Sequence, residues 1–433
     1  MKRLIAIAFV LALLMSLGIS GCNSNSNQNA PSTGTTQQDA GSNNTGSNNA
    51  GSDNAGSNNT GGGNTSDNTQ SSSGDKAPLR PSAIPPGSEQ IDKSFFTKTW
   101  DLDPSVLGTY EFSFSMQDPS TALKTLFLVE WSEMIYEATN GGVDITVFAN
   151  GTLATASEVL PATLMGVADI GWVPCNSFVT QTPITSLFGL AAMGLDANTL
   201  STEVIWDMLE NPKWTHAFEP ELEGLKLLLF TTNGKNCLGL DKPVSTLEGM
   251  KGIRIRALGG IGIDFTTLLG AAPVSMPPAD IYDAVSKGVL DGYVFDWGGI
   301  ESLRLYELTD YYNLRSFYTS PTMIVMNENS WNQLPAEYQE VIEYYSGRDM
   351  SLQYAHSWEV SIINAAETYA TPDQFNDFAD EEWQKVLDIA EVYNMGRIEA
   401  INSDTIDGYQ FYADLKSTIQ KYYDEDYLYY RFK

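Results

Sequence analysis

Basic residues, cysteine and histidine are all scarce in this chain. Its 433 residues hold 24 Lys and Arg against 54 Asp and Glu, a formal net charge of −30. Nucleic-acid phosphates need a basic face, so nucleic acid is excluded as a partner. The cysteines are Cys22, Cys175 and Cys237, and the histidines are His216 and His356. No CxxC or HExxH pattern occurs. That argues against a structural zinc and against a histidine-based triad, and neither metal nor cofactor is expected. The many acidic residues are spread rather than paired in a recognisable motif. A secreted carboxylate-pair hydrolase therefore lacks its signature, and the expectation is a protein that is not an enzyme.

The N-terminus carries Lys2 and Arg3, then an apolar run from Leu4 to Leu17. The run is too short and wrongly flanked for a membrane span, and residues 1–22 read as a secretion signal. It ends in Ile19, Ser20, Gly21 and Cys22. That ending resembles the bacterial lipobox, whose cysteine is diacylated and becomes the mature N-terminus. The resemblance implies a lipid on Cys22 and an extracytoplasmic protein anchored to a membrane of the cell envelope, since two acyl chains hold durably. Residues 23–95 are expected to form an Asn/Gly/Ser-rich tether, in which Asn23–Ser73 carries GSNN and GSDN repeats and almost no apolar side chain. Such a segment cannot offset its ordering entropy and is expected to be disordered. As a coil it reaches about 40–50 Å root-mean-square. Pro78, Pro81, Pro85 and Pro86 stiffen its far end.

The remaining stretch is too long for one hydrophobic core and suits two lobes. Glu111–Met116 alternates like a strand, a helix follows from Ala122 to Ala138, and Val143–Phe148 is the next strand. A helix at Glu158–Gly166 and a strand at Asp169–Val173 complete a β-α-β-α-β pattern, which specifies a parallel sheet covered by helices. Leu200–Leu209 reads as helix and Leu225–Thr231 as a buried strand. The expected division is 96–233 plus 322–361 for lobe I, and 234–321 plus 362–433 for lobe II. Pro335 at a first helical position and Glu337 in the first turn open a helix that runs to Tyr369, with Gly347 its one weak point. A helix of roughly 35 residues spans about 50 Å, longer than one lobe. The tyrosine-rich end, YYDEDYLYYRF, reads as packing against a lobe.

The most informative stretch is Thr246–Trp297. A short alternating strand places Arg254 and Arg256 on one face and Ile253 and Ile255 on the other. An arginine near the carboxyl end of an α/β strand points into the crevice where such sheets bind ligands, and a guanidinium grips a carboxylate with two parallel hydrogen bonds. The run Lys251, Gly252, Ile253, Arg254, Ile255, Arg256 resembles a strand of the solute-binding subunits of tripartite ATP-independent periplasmic (TRAP) transporters. Tyr282, Ala284, Gly288, Asp291 and Gly292 match that family's helix-to-strand junction. Phe148–Trp172 and Asn327–Ile342 resemble its segments on either side, so the likeness covers Tyr110 to Tyr369. It implies an α/β, two-lobe periplasmic-binding-protein-like fold with hinge strands and a long helix spanning both lobes. It also implies capture of a small organic carboxylate in an interlobe cleft through an arginine clamp, and delivery to a TRAP-type membrane permease. A receptor of the same fold that signals to a sensor fits the sequence equally well.

Within that resemblance Arg256 is the clamp, and Arg254 occupies a variable position suited to a surface role. Asn236, beside Lys235, stands where many members carry a second basic group. Phe295 stands where an asparagine is usual. Both departures imply a more apolar acid, aromatic or branched. Gln117 follows the opening strand, where a polar ligand contact is common. Trp172 and Trp297 suit either aromatic walls of the cleft or lobe core. Asp296 suits either a ligand hydroxyl or ammonium group, or a helix cap. Cys175 and Cys237 have two states open to them, a disulfide or two buried thiols.

Overall fold

The computed structural model describes residues Gln90–Asp424. The signal sequence, Cys22, the tether as far as Glu89 and the last aromatics of the tail lie outside the described residues. The strands are β1 Tyr110–Ser115, β2 Val143–Phe148, β3 Ile170–Pro174, β4 Leu225–Lys235, β5 Cys237–Leu240, β6 Arg254–Arg256, β7 Ala272–Val274, β8 Gly292–Phe295, β9 Tyr311–Asn313 and β10 Thr319–Asn327. The helices that matter for the site are α1 Leu123–Ala138, α2 Val159–Leu164, α3 Asn198–Leu209, α4 Gly259–Leu268, α5 Ile281–Ser286, α6 Trp297–Ser302, α7 Ala336–Tyr344, α8 Gly347–Tyr369, α9 Asp380–Ile401 and α10 Gly408–Asp424.

Two five-stranded sheets organise the two lobes, in the orders β2-β1-β3-β10-β4 and β7-β6-β8-β5-β9. In the first, β1 runs parallel to β2 and β3, while β10 is antiparallel to β3 and β4. In the second, β6 runs parallel to β7 and β8, while β5 is antiparallel to β8 and β9. The parallel parts come from the β-α-β units legible in the sequence. Period-two alternation gives each sheet two apolar faces. On β8, Tyr293 and Phe295 pack with Ile281, Leu305 and Trp358, whereas Val294 packs on the other side with Leu238, Phe265 and Tyr393. Each such side chain contributes about 1.5–3 kcal/mol when fully buried.

The chain crosses between the sheets at Asn236 and returns between β9 and β10. Asn236 N donates to Tyr318 O at 3.0 Å, and Phe317 N donates to Asn236 O at 3.3 Å, so the crossing segments are knitted together. The first turn of α4 abuts the Cys175–Ser177 turn of the first lobe. A Cβ at Gly259, whose φ is +51°, would lie 2.7 Å from Asn176 O, so this approach requires glycine.

Three expectations need correction. The long helix is broken at Tyr345–Ser346, and α8 has 23 residues, about 35 Å. Gly347 has φ +75°, outside helical geometry, and the Tyr345 carbonyl accepts from Trp131 Nε1 instead of continuing the helix. Even so, α8 packs against β4 and α3 of the first lobe and α6 of the second. Pro335 is the cap before α7 rather than its first residue. Residues 90–95, counted with the tether, are ordered: Ile91 enters the first lobe's core, and the buried Glu130 carboxylate accepts from Gln90 N at 2.6 Å and Ile91 N at 3.2 Å.

The division of the C-terminal part also differs from 362–433 in lobe II. Helix α9 begins in the second lobe's core with Val386, Ala390 and Tyr393 and ends in the first lobe's core with Ile398. Helix α10 then lays Phe411, Leu415, Ile419 and Tyr422, a stripe at helical spacing, onto the first lobe. Phe411 meets Trp214 edge to face, with ring centroids 5.1 Å apart.

Candidate functional site

A cavity of about 320 Å³ opens between the lobes. Gln117, Asn150, Thr155 and Ser157 line it from the first lobe, and Leu258 and Met276 from the second. Gln117 follows the end of β1, and Leu258 follows the end of β6. The cavity thus sits outside the carboxyl ends of parallel strands, the usual ligand position in α/β sheets.

Arg256, the last residue of β6 and two positions before the cavity-lining Leu258, is 1% exposed. Its Nε, Nη1 and Nη2 are all buried, and none has a hydrogen-bond acceptor among the described residues. The guanidinium instead lies over the Phe295 ring, 4.6 Å from its centroid. Burial lowers its pKa from 12.5 to about 10, opposed by Tyr318, Asp296 and Asp118. Phe295 reaches this place because α6 carries Gly299: a Cβ there would fall 1.5 Å from Phe295 Cε1. Arg254, two residues earlier, is exposed and forks onto Asp291, with Nε–Oδ2 at 3.0 Å and Nη2–Oδ1 at 2.5 Å.

The sequence reading missed a second buried cation. Lys124, in the first turn of α1, is only 5% exposed, and its Nζ lies 2.8 Å from Asp118 Oδ2. Its ammonium sits 4.4 Å from the Trp358 ring centroid and 5.4 Å from that of Trp172. Burial pushes its pKa down, but the charges of Asp118 and Asp296 outweigh that and hold it above its ordinary value. Trp172 Nε1 donates to Tyr354 Oη at 3.1 Å, which fixes the indole under the lysine. The available signals were a lone cation inside the apolar run TALKTLFLV and an aspartate directly after Gln117.

The other expected residues divide. Gln117 lines the cavity, and its Nε2 is buried without an acceptor. Asp296 caps α6, accepting from Gly299 N at 3.0 Å, and burial raises its pKa while Lys124 partly offsets the rise. Trp172 stands at the lysine. Trp297 lies in the second lobe's core, tilted on Tyr312 with centroids 4.5 Å apart. Asn236 is not displayed to a ligand through its amide nitrogen: Nδ2 donates to Tyr318 O at 3.2 Å and Ser320 Oγ at 3.3 Å within the crossing segments. Cys175 and Cys237 are free, buried thiols in different cores.

Among the described residues no helix is long and apolar enough to cross a membrane, and no group of His, Cys, Asp and Glu could hold a metal ion.

Known proteins share this architecture. A TRAP solute-binding protein from a marine metagenome, specific for aromatic acid ligands and solved with 3-hydroxybenzoate, superposes with a TM-score of 0.65 at 22% identity, covering 72% of this chain and 99% of that one. A TRAP periplasmic solute-binding protein of Bordetella bronchiseptica, with bound (R)- and (S)-mandelate, gives the same score, identity and coverage. The 2,3-diketo-L-gulonate-binding periplasmic protein YiaO of Escherichia coli K12 is 22% identical over 244 residues, 55% of this chain and 72% of its own length. Residues 114–386 match the family of bacterial extracellular solute-binding proteins, family 7. With that match across most of its length and TRAP receptors as its structural neighbours, the chain belongs to this family of extracytoplasmic solute-binding proteins.

Proposed function

We propose that this protein captures a small organic carboxylate between its lobes through Arg256 and hands it unchanged to a TRAP-type membrane permease. The observation that carries this reading is the buried guanidinium with three nitrogens lacking an acceptor. A charge taken out of water without a partner costs several kcal/mol, so its persistence calls for a partner that arrives from outside. A carboxylate fits that guanidinium bidentately and gains strength from the low local dielectric. Gln117 Nε2, also without an acceptor, supplies a further donor towards the acid's oxygens. Phe295 and Trp172 supply apolar surface, which favours an aromatic or branched acid, in keeping with the 3-hydroxybenzoate and mandelate bound by structural neighbours. The two-lobe architecture with crossing segments suits closure about a ligand. In this reading a diacylated Cys22 holds the receptor at the membrane beside its permease.

Calorimetry with a panel of organic acids tests the clamp. Arg256→Ala is expected to lose about 2–5 kcal/mol of binding, as for truncating one partner of a buried charge pair. Undiminished tight binding by that variant sinks the assignment, and chemical change of the recovered ligand sinks the receptor reading.

A further inference from the structure

We infer that this site counts charge: it admits acids with one carboxylate and a neutral body, and Asp118 and Asp296 turn a second carboxylate away by keeping Lys124 occupied. The inference rests on the carboxylate reading above and narrows its substrate class. Two cations and two carboxylates bear on this site: Arg256 lies over Phe295, whose chain neighbour is Asp296, and Lys124 pairs with Asp118, next to the cavity-lining Gln117. They are not equivalent. Lys124 is already held, with Asp118 at 2.8 Å and indole rings at 4.4 and 5.4 Å. Arg256 has no acceptor on any guanidinium nitrogen. One cation is therefore open to an incoming anion and one is closed.

The interlobe cavity, lined by Gln117 and Leu258 though not by Arg256 itself, gives an independent reason. Among the described residues that line it none is charged; its polar groups are amides and hydroxyls, such as Asn150, Thr155, Ser157 and Ser275, beside Leu258 and Met276. A ligand body extending there meets hydrogen-bonding groups but nothing to neutralise a second negative charge. That charge would be stripped of water with no cation to pair it, which strongly disfavours the ionised form. Hydroxyl or keto substituents on the body suit the same lining.

The test uses matched pairs that differ by one carboxylate, benzoate with isophthalate and hexanoate with adipate, by calorimetry on the purified protein. The wild type is expected to bind the tighter monocarboxylate at least about a hundredfold more strongly than its dicarboxylate counterpart. Asp118→Asn frees Lys124 as a second open cation and should narrow that ratio by about tenfold. Asp296→Asn should shift it in the same direction while keeping α6 capped, because asparagine caps as well as aspartate. Melting curves identify a variant that has failed to fold, and the wild-type ratio stands without either variant. Equal affinity for both members of a pair in the wild type overturns the inference and leaves the Arg256 clamp intact. So does a ratio unchanged in both folded variants. Binding of no acid in any pair removes the carboxylate reading, and this inference with it.

Discussion

Replacing Arg256 by methionine should make the ligand-free protein more stable while removing its function. The guanidinium is 1% exposed, and burial lowers it from 12.5 to about 10. At 1.36 kcal/mol per pH unit, the gap corresponds to about 3 kcal/mol of stability lost to the buried charge. The folded value lies below the unfolded one, so the penalty is fully present at neutral pH, where both states are charged, and would relax only above pH 10. Methionine has a similar volume on a shorter chain and is flexible and polarizable enough to fill an irregular apolar site. Against this gain, Asp118 and Asp296 lose part of their positive surroundings, which leaves about 1–3 kcal/mol net. For a chain of this size that is a rise of a few degrees in melting temperature. Ligand should act in the opposite sense: a bound acid at a hundred times its Kd stabilises the wild type by about 2.7 kcal/mol and the variant not at all. Thermal unfolding with and without the tightest acid of the calorimetric panel measures both effects. A ligand-free Arg256→Met protein that melts below the wild type, or one that still gains stability from the acid, refutes the reasoning.

Two other measurements follow from the same geometry. Gly299→Ala should displace the Phe295 ring, because the new Cβ would lie 1.5 Å from Cε1 and 2.0 Å from Cδ1. The expected cost is about 1–3 kcal/mol in urea unfolding, with weaker acid binding as Arg256 loses its aromatic support; an unchanged protein would show that Phe295 is loosely held. Burial pushes the thiols of Cys175 and Cys237 up to about 12, so neither should be alkylated by iodoacetamide at pH 8 in the native protein, and both should react after denaturation. Peptide mass spectrometry reads the outcome, and native-state labelling of either would contradict its burial.

Local order was legible because it rests on periodicity. The β-α-β-α-β start and the strand bearing Arg254 and Arg256 follow from patterns that repeat over a few residues, whereas the two lobes follow from chain length and from the family resemblance. What escaped depends on contacts distant in sequence. One glycine was too weak a signal to break a helix by itself; the break also uses a Trp131 bond to Tyr345 across 214 residues. The C-terminal helix carries an apolar stripe that predicts burial but not against which lobe, and only the path of α9 from one core to the other decides that. Lys124 was passed over because a lone lysine in a helix is ordinarily solvated. Its burial is enforced by partners from β3 and α8 and by Asp118, which no spacing rule connects.

The same residues explain how so acidic a protein can present a binding site for an anion. Charges beyond about 8 Å are largely screened at physiological salt, so the net −30 does little to a ligand already between the lobes. The harder problem is local, because four described arginines outside the cleft are paired with the protein's own carboxylates. Arg254 forks onto Asp291, Arg304 pairs with Glu307, Arg315 with Asp380, and Arg348 with Glu203, Asp207 and Glu210. Each is spent on the protein's own acids. Arg256 differs from Arg254 by two positions on one strand and by its burial. Burial keeps mobile surface carboxylates away, while the fixed acids that act on it are engaged elsewhere: Asp118 pairs with Lys124 and Asp296 caps α6. In an acidic receptor, an open cation must therefore be a buried one, and the stability it forfeits is the condition for its remaining open.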